Sequence, residues 1–190
     1  MVAAFLAQGF SPGGMMGWAA SRAGLAAGDW APVFLHMYAH GGLVHAGFNL
    51  VALFALTAPV MDRLGPLSSR SLVAFLALFH LSGLGGLGLW LLFAHDAPML
   101  GASGAIFGLL GFILRQPDPD GPLIAIFSRE MVRVFGTLFR LHLPLVAIFA
   151  IPVLLGAGSF GLAWEAHLGG FVAGLLLVYP VTRLAGSAAR

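Results

Sequence analysis

The sequence predicts an all-α fold, a polytopic transmembrane helical bundle, and three observations carry that reading. Apolar residues make up 59% of the 190, charged residues only 8%, and the mean hydropathy is +0.97. A soluble domain covers itself with about 25% charged residues, so most of this chain's surface has to face lipid. The apolar residues are also gathered into runs, and a helix of ~20 such residues crosses a hydrocarbon core ~30 Å thick. Lastly, Arg, Gly or Pro stands where each run stops, as expected of span ends.

The elements follow in order as one domain, residues 1–190, without repeat or linker. Met1 to Gln8 has no basic lead and is followed by a break at Ser11-Pro12-Gly13-Gly14, so it does not read as a secretory signal. As a helix it extends only ~12 Å, the stub of a span rather than a span. Residues 9–33 read as an outer loop, and five spans follow within 34–182. These are Phe34 to Met61, Ser71 to Phe93, the short Leu100 to Leu114, Phe135 to Leu155 and Phe160 to Val181. Residues 183–190 form the tail.

Orientation comes from the arginines. With the segment before Phe34 outside, Arg63, Arg70, Arg115, Arg129, Arg133, Arg140, Arg183 and Arg190 all fall at cytoplasmic ends and only Arg22 lies outside. The expectation is an integral multi-pass protein of a bacterial inner membrane, its C-terminus cytoplasmic. The loops Ala94 to Met99 and Gly156 to Ala163 are then outer. The apolar Leu123 to Phe127, inside a Pro/Asp/Gly-rich turn, reads as a patch lying on the inner surface.

Composition also excludes functions. The net charge of +2 comes with no Lys and scattered Arg, so no phosphate-tracking stripe for nucleic acid exists. Cysteine is absent, which removes disulfides, thiolate nucleophiles and thiolate metal sites. Covalent chemistry is left to Ser, Thr, Asp, Glu or His.

Polar side chains inside spans are costly and therefore functional suspects. Four stand out: His45 and Asn49 on the first full span, Ser103 opening the short span, and His167 on the last. The topology puts all four in one layer near the outer face. His45 and Asn49, four residues apart, share a helix face and can donate to one oxygen. Gly101 permits a sharp turn before Ser103, while Gly104 and Gly108 make a small-residue face for close helix contact. Gly170 and Gly174 extend the His167 face likewise. Two such faces in contact would bring hydroxyl and imidazole within ~2.6 to 3.2 Å, the reach needed for base activation. This is a dyad; Asp96 and Glu165 lie at outer ends, and no third carboxylate is predicted.

These residues resemble the rhomboid intramembrane serine proteases. The family's G-x-S-G opening a short helix is Gly101 to Gly104, its H-x-x-x-N is His45 to Asn49, and its A-H with spaced glycines is Ala166-His167 with Gly170 and Gly174. The lead from Phe34 to His45 is similar too, and the resemblance runs from Trp30 nearly to the end. It implies a six-span core whose first span survives here as the stub, a serine endopeptidase activity, Ser103 as nucleophile and His167 as its base. It also implies an oxyanion hole from His45, Asn49 and the Ser103 backbone N–H, with Phe107 packing on the base. Substrates would be single-span membrane proteins cut near the outer end of a helix, with no metal or cofactor. The family's Trp-Arg is replaced by Trp30-Ala31.

A catalytically silent binder, similar in fold to the derlins, would keep the glycines without needing the dyad. A small transporter would want charges or broken helices at the midplane, which the sequence lacks. The i, i+4 pair His36 and His40 has zinc spacing, but reads as interfacial packing. An α/β-hydrolase elbow is excluded, since Ala105 stands where G-x-S-x-G needs its last Gly.

Overall fold

The computed structural model describes residues 2–93, 97–137, 140 and 163–187. It contains α1 (Val2–Gln8), a 3-10 turn at Gly14–Trp18, α2 (Arg22–Ala26), α3 (Pro32–Leu35) running into a 3-10 turn at His36–Tyr38, α4 (Leu43–Leu64), α5 (Ser69–Leu92), α6 (Ser103–Arg115) and α7 (Trp164–Ala185). Residues 129–137 are also helical. Helices α4, α5 and α7, of 22, 24 and 22 residues, are long and apolar enough to cross a membrane, and α6 is a shorter apolar helix. Among the described residues the one β feature is an isolated antiparallel bridge between Ala20 and Met99. The protein is an all-helical membrane bundle.

Local chemistry sets the helix ends. Ser68 and Ser71 form a reciprocal capping box that starts α5. Gly186 in the left-handed conformation ends α7. The first full span differs most from expectation. It begins at Leu43, not Phe34, because residues 36–38 tighten into a 3-10 turn and Gly42, at φ 148°, breaks the helical path before α4. His36 and His40, expected at the interface, are instead buried. The predicted span 135–155 lies largely outside the described residues.

Helix α6 is the hub. Its Ala105, Leu109 and Phe112 are fully buried, packed with Leu78 of α5, Val178 of α7 and Val60 of α4. By contrast α4 leaves Leu43, Val44 and Phe54 exposed, an apolar face suited to lipid. The inner turn is also more embedded than expected. Ile124 is buried with Met131, Phe171 and Leu175, and Leu123 packs on the main core, so only part of the patch, Phe127 included, faces outward.

What sets the geometry is a backbone-to-backbone crossing of α6 and α7, which run parallel. A methyl group built on Gly170 would sit 1.9 Å from the Gly104 carbonyl oxygen, and one on Gly174 would sit 1.9 Å from that of Gly108. Only hydrogen fits. One turn further, a methyl on Gly111 would meet the Phe171 carbonyl at 2.3 Å. Helix α5 crosses the pair in the opposite direction, with Gly86 against the Ala166 carbonyl and Ser82 against Gly108.

The two ends of the bundle differ. At one, Arg63 donates to the carbonyls of Gln116 and Pro117, Arg115 donates to the Leu175 carbonyl, and Ser187 reaches the Leu64 carbonyl at 2.7 Å. At the other, Arg22 donates to the Leu91 carbonyl at 2.5 Å. Arg63 and Arg115 thus stand at one end of the bundle and Arg22 at the other.

Overpacking a backbone contact typically costs about 1–3 kcal/mol. Gly174→Ala should therefore destabilise the protein in detergent by that order, read as a lower denaturation midpoint. Gly88→Ala, where an added methyl meets nothing within 4 Å, should be neutral or slightly stabilising through helix propensity. Equal midpoints for the two variants would contradict the crossing.

Candidate active site

The site stands at the Arg22 end, where α6 and α7 begin. Ser103 is the first residue of α6, and His167 lies in the first turn of α7. Their side chains meet: the Ser103 hydroxyl and His167 Nε2 are 2.8 Å apart. Both residues are half-buried, so the pair is reachable from outside the bundle. Phe107, one turn along α6, stacks on the His167 ring with centroids 4.4 Å apart and planes 4° from parallel. A flat aromatic wall of this kind limits ring rotation, and its negative face favours a positively charged imidazole when one forms.

Three main-chain contacts hold the segment before Ser103. Met99 pairs with Ala20 through two backbone hydrogen bonds of 2.8 and 2.9 Å, and the Gly101 N–H donates to the His36 carbonyl at 2.8 Å. Gly101 adopts φ 115°, and a methyl there would lie 2.8 Å from His45 Nε2 and 3.9 Å from the Ser103 hydroxyl. Glycine is required here twice, for its backbone conformation and for the space it leaves to His45. Helix α6 then starts without a side-chain cap at Ala102. Its first N–H groups and the positive end of its dipole are thereby directed to the ground around Ser103, an arrangement that suits developing negative charge.

His45 joins this layer through its ring. Its Nδ1 accepts the Gly41 N–H at 3.3 Å, and a neutral imidazole that accepts at Nδ1 carries its proton on Nε2. That proton therefore sits on the nitrogen that faces Gly101. Asn49 shares the His45 helix. It is buried one turn along α4, and its amide donates to the His45 carbonyl at 2.9 Å within its own helix. The structure does bring Ser103, His167, Phe107, His45 and the glycines 101, 104, 170 and 174 together; Asn49 supports the same turn of α4.

Several further residues support the site in ways the sequence does not assign to them. The His36 ring bonds the Pro32 carbonyl at 2.9 Å while its own carbonyl holds Gly101. The His40 ring meets His45 edge-on at 5.1 Å. Gln8 of α1 bonds His40, and Tyr38 bonds His80 at 2.6 Å. Glu165, expected at an outer end, is buried in the first turn of α7. The short spacing of histidines from 36 to 45 was the available signal, but spacing does not distinguish ligation from support. Among the described residues no group of three or more His, Asp or Glu is placed to hold a metal.

A family model described as Rhomboid domain matches residues 27–184. The chain belongs to the rhomboid family. Among its relatives, RHOMBOID-like protein 4 of Arabidopsis thaliana is 33% identical over 73% of this chain and 30% of its own length. The putative rhomboid protease YdcA of Bacillus subtilis is 28% identical over 82% of the chain and 69% of its own length. Rhomboid protease GluP of the same organism is 30% identical over 79% of the chain, which spans about a quarter of that protein. This rhomboid domain is thus an integral membrane protein, and the match to the family model takes in Ser103, His167, His45 and Asn49.

Burial, and after it the adjoining His45, lower the His40 pKa from 6.5 to about 4. Between those values the unfolded chain binds the extra proton and the folded chain does not, so folding stability is complete above pH 6.5 and declines as the pH falls toward 4. The thermal midpoint in detergent should drop between pH 7 and 4.5, and the drop should be shallower in His40→Asn. Parallel profiles for the two proteins would contradict this assignment.

Proposed function

We propose that this rhomboid is an intramembrane serine endopeptidase that cleaves single-span membrane proteins near the outer end of their helices. The observation that carries the reading is the 2.8 Å contact between the Ser103 hydroxyl and His167 Nε2. In neutral form His167 accepts the serine proton as the oxygen attacks a peptide carbonyl. The resulting imidazolium, faced by the Phe107 ring, returns the proton to the leaving amine, and the C–N bond breaks. Water then hydrolyses the acyl-serine by the same proton route.

The oxyanion that forms is stabilised by the Ser103 backbone N–H at the uncapped start of α6 and by the Nε2 proton of His45, with the second amide proton of Asn49 as a further donor. Each such donor is worth ~10² to 10³ in rate. Water is scarce in the surrounding lipid, so these dipoles act at low dielectric. No cofactor enters the scheme. We assign the protein to a bacterial inner membrane with the Ser103 end outward and the C-terminus cytoplasmic. The support is the arginine segregation and the two Bacillus relatives named as proteases.

The test is cleavage of a single-span reporter in detergent or proteoliposomes. Ser103→Ala and His167→Ala should each lose at least ~10³-fold in kcat/KM while both proteins stay folded. Retained turnover in Ser103→Ala would overturn the nucleophile, and absence of turnover in the unaltered protein against all single-span substrates would favour a silent binder.

A further inference from the structure

Gln8 is a polar side chain buried at the end of α1, an otherwise apolar helix, and both ends of its amide are used on one residue. Its Oε1 accepts the His40 N–H at 3.0 Å, and its Nε2 donates to the His40 carbonyl at 2.9 Å. Phe5, on the same face of α1, meets the His40 ring at 6.4 Å. A glutamine that pairs with both main-chain groups of one residue acts as a neighbouring strand would, and it orients the peptide planes on either side of that residue.

The plane after His40 is the informative one. Its carbonyl oxygen belongs to His40 and its N–H to Gly41, and a trans peptide keeps the two on opposite edges of one rigid plate. Gln8 grips the oxygen edge, and the N–H edge donates to His45 Nδ1 at 3.3 Å. Gly41 and Gly42 carry no side chains to hold this plate; the His40 ring, buried and bonded at Nδ1 to the Tyr38 carbonyl at 3.1 Å, anchors its near end, and the amide of Gln8 and the His45 ring fix its two edges. Rotating the plate would break both bonds. His45 would then be free to exchange its proton between the two ring nitrogens, and Nε2, next to Gly101, would no longer be a dedicated donor.

We propose that Gln8 is a positioning residue for the active site: by clamping the His40–Gly41 peptide it dictates the tautomer and aim of His45, the oxyanion donor. The proposal rests on the serine endopeptidase reading for its effect on rate, but its effect on His45 is measurable without turnover. It gives α1 a part in the chemistry although none of its residues touches the site, and it fits the burial of Gln8 against a loop rather than against another helix.

The experiment uses the full chain in detergent with Gln8→Met, which keeps volume and apolar packing but makes neither bond, and Gln8→Glu, which keeps an acceptor for the His40 N–H and loses the donor to its carbonyl. Histidine labelled with nitrogen-15 reports the tautomer, the His45 signal being assigned by its loss in His45→Gln. In the unaltered protein His45 should be the Nε2-protonated form. In both variants it should become a mixture, with kcat for a single-span reporter about tenfold lower and KM within twofold. Unchanged His45 signals would overturn the proposal, whether or not kcat falls, because a rate loss without a tautomer change means that Gln8 acts only on the fold. If the unaltered protein shows no turnover, the endopeptidase reading fails while the tautomer comparison still decides the clamp.

Discussion

The close crossing of α6 and α7 is the contact from which everything else in this protein is derived. Lipid offers two apolar helices no hydrophobic reason to associate, so tight packing has to come from surfaces that let backbones touch. Gly170 and Gly174 of α7 meet the Gly104 and Gly108 carbonyls of α6 with room for hydrogen alone. Because the contact repeats after one turn on both helices, it fixes their separation, their register and their rotation about their own axes. Ser103 is one residue before the first crossing point and His167 three residues before its counterpart. Their 2.8 Å contact is a consequence of that register.

Around this crossing the bundle surrounds a polar layer with bonds that leave its parts little freedom. Ala20 holds Met99, His36 holds Gly101, and Phe107 walls one side of His167. At the opposite end Arg63 and Arg115 secure the exit of α6 by donating to main-chain carbonyls. Helix α6 is therefore fixed at both ends and along its middle. A hydroxyl at the start of such a helix is held in advance of any substrate, which is the arrangement electrostatic catalysis requires.

Much of this was legible because membrane constraints are severe. The α5 and α7 spans, the shortness of α6, the glycine faces and the pairing of Ser103 with His167 follow from apolar run length and from polar residues at matched depth. The start of α4 was not legible. Helix-compatible composition runs from Phe34 to Tyr38 and again from Leu43, and the break between them comes with the 3-10 turn at His36–Tyr38 and the backbone turn at Gly42, where His36 and His40 are buried. Asn49 shows a second limit. Its i, i+4 spacing from His45 fits a shared donation to one oxygen, and spacing alone does not reveal that the same amide also bonds the His45 carbonyl. The clamp by Gln8 had no signal in sequence, since it joins residues 32 positions apart through the main chain.

Hydrogen-only contact between α6 and α7 is what assembles the dyad. Its most direct measurement is the rate at which a fluorophosphonate labels Ser103 in detergent-purified Gly170→Ala, with Ser103 and His167 both intact. Labelling should be at least ~100-fold slower than in the unaltered protein, in a sample that remains monodisperse and helical. Labelling at the unaltered rate would contradict it.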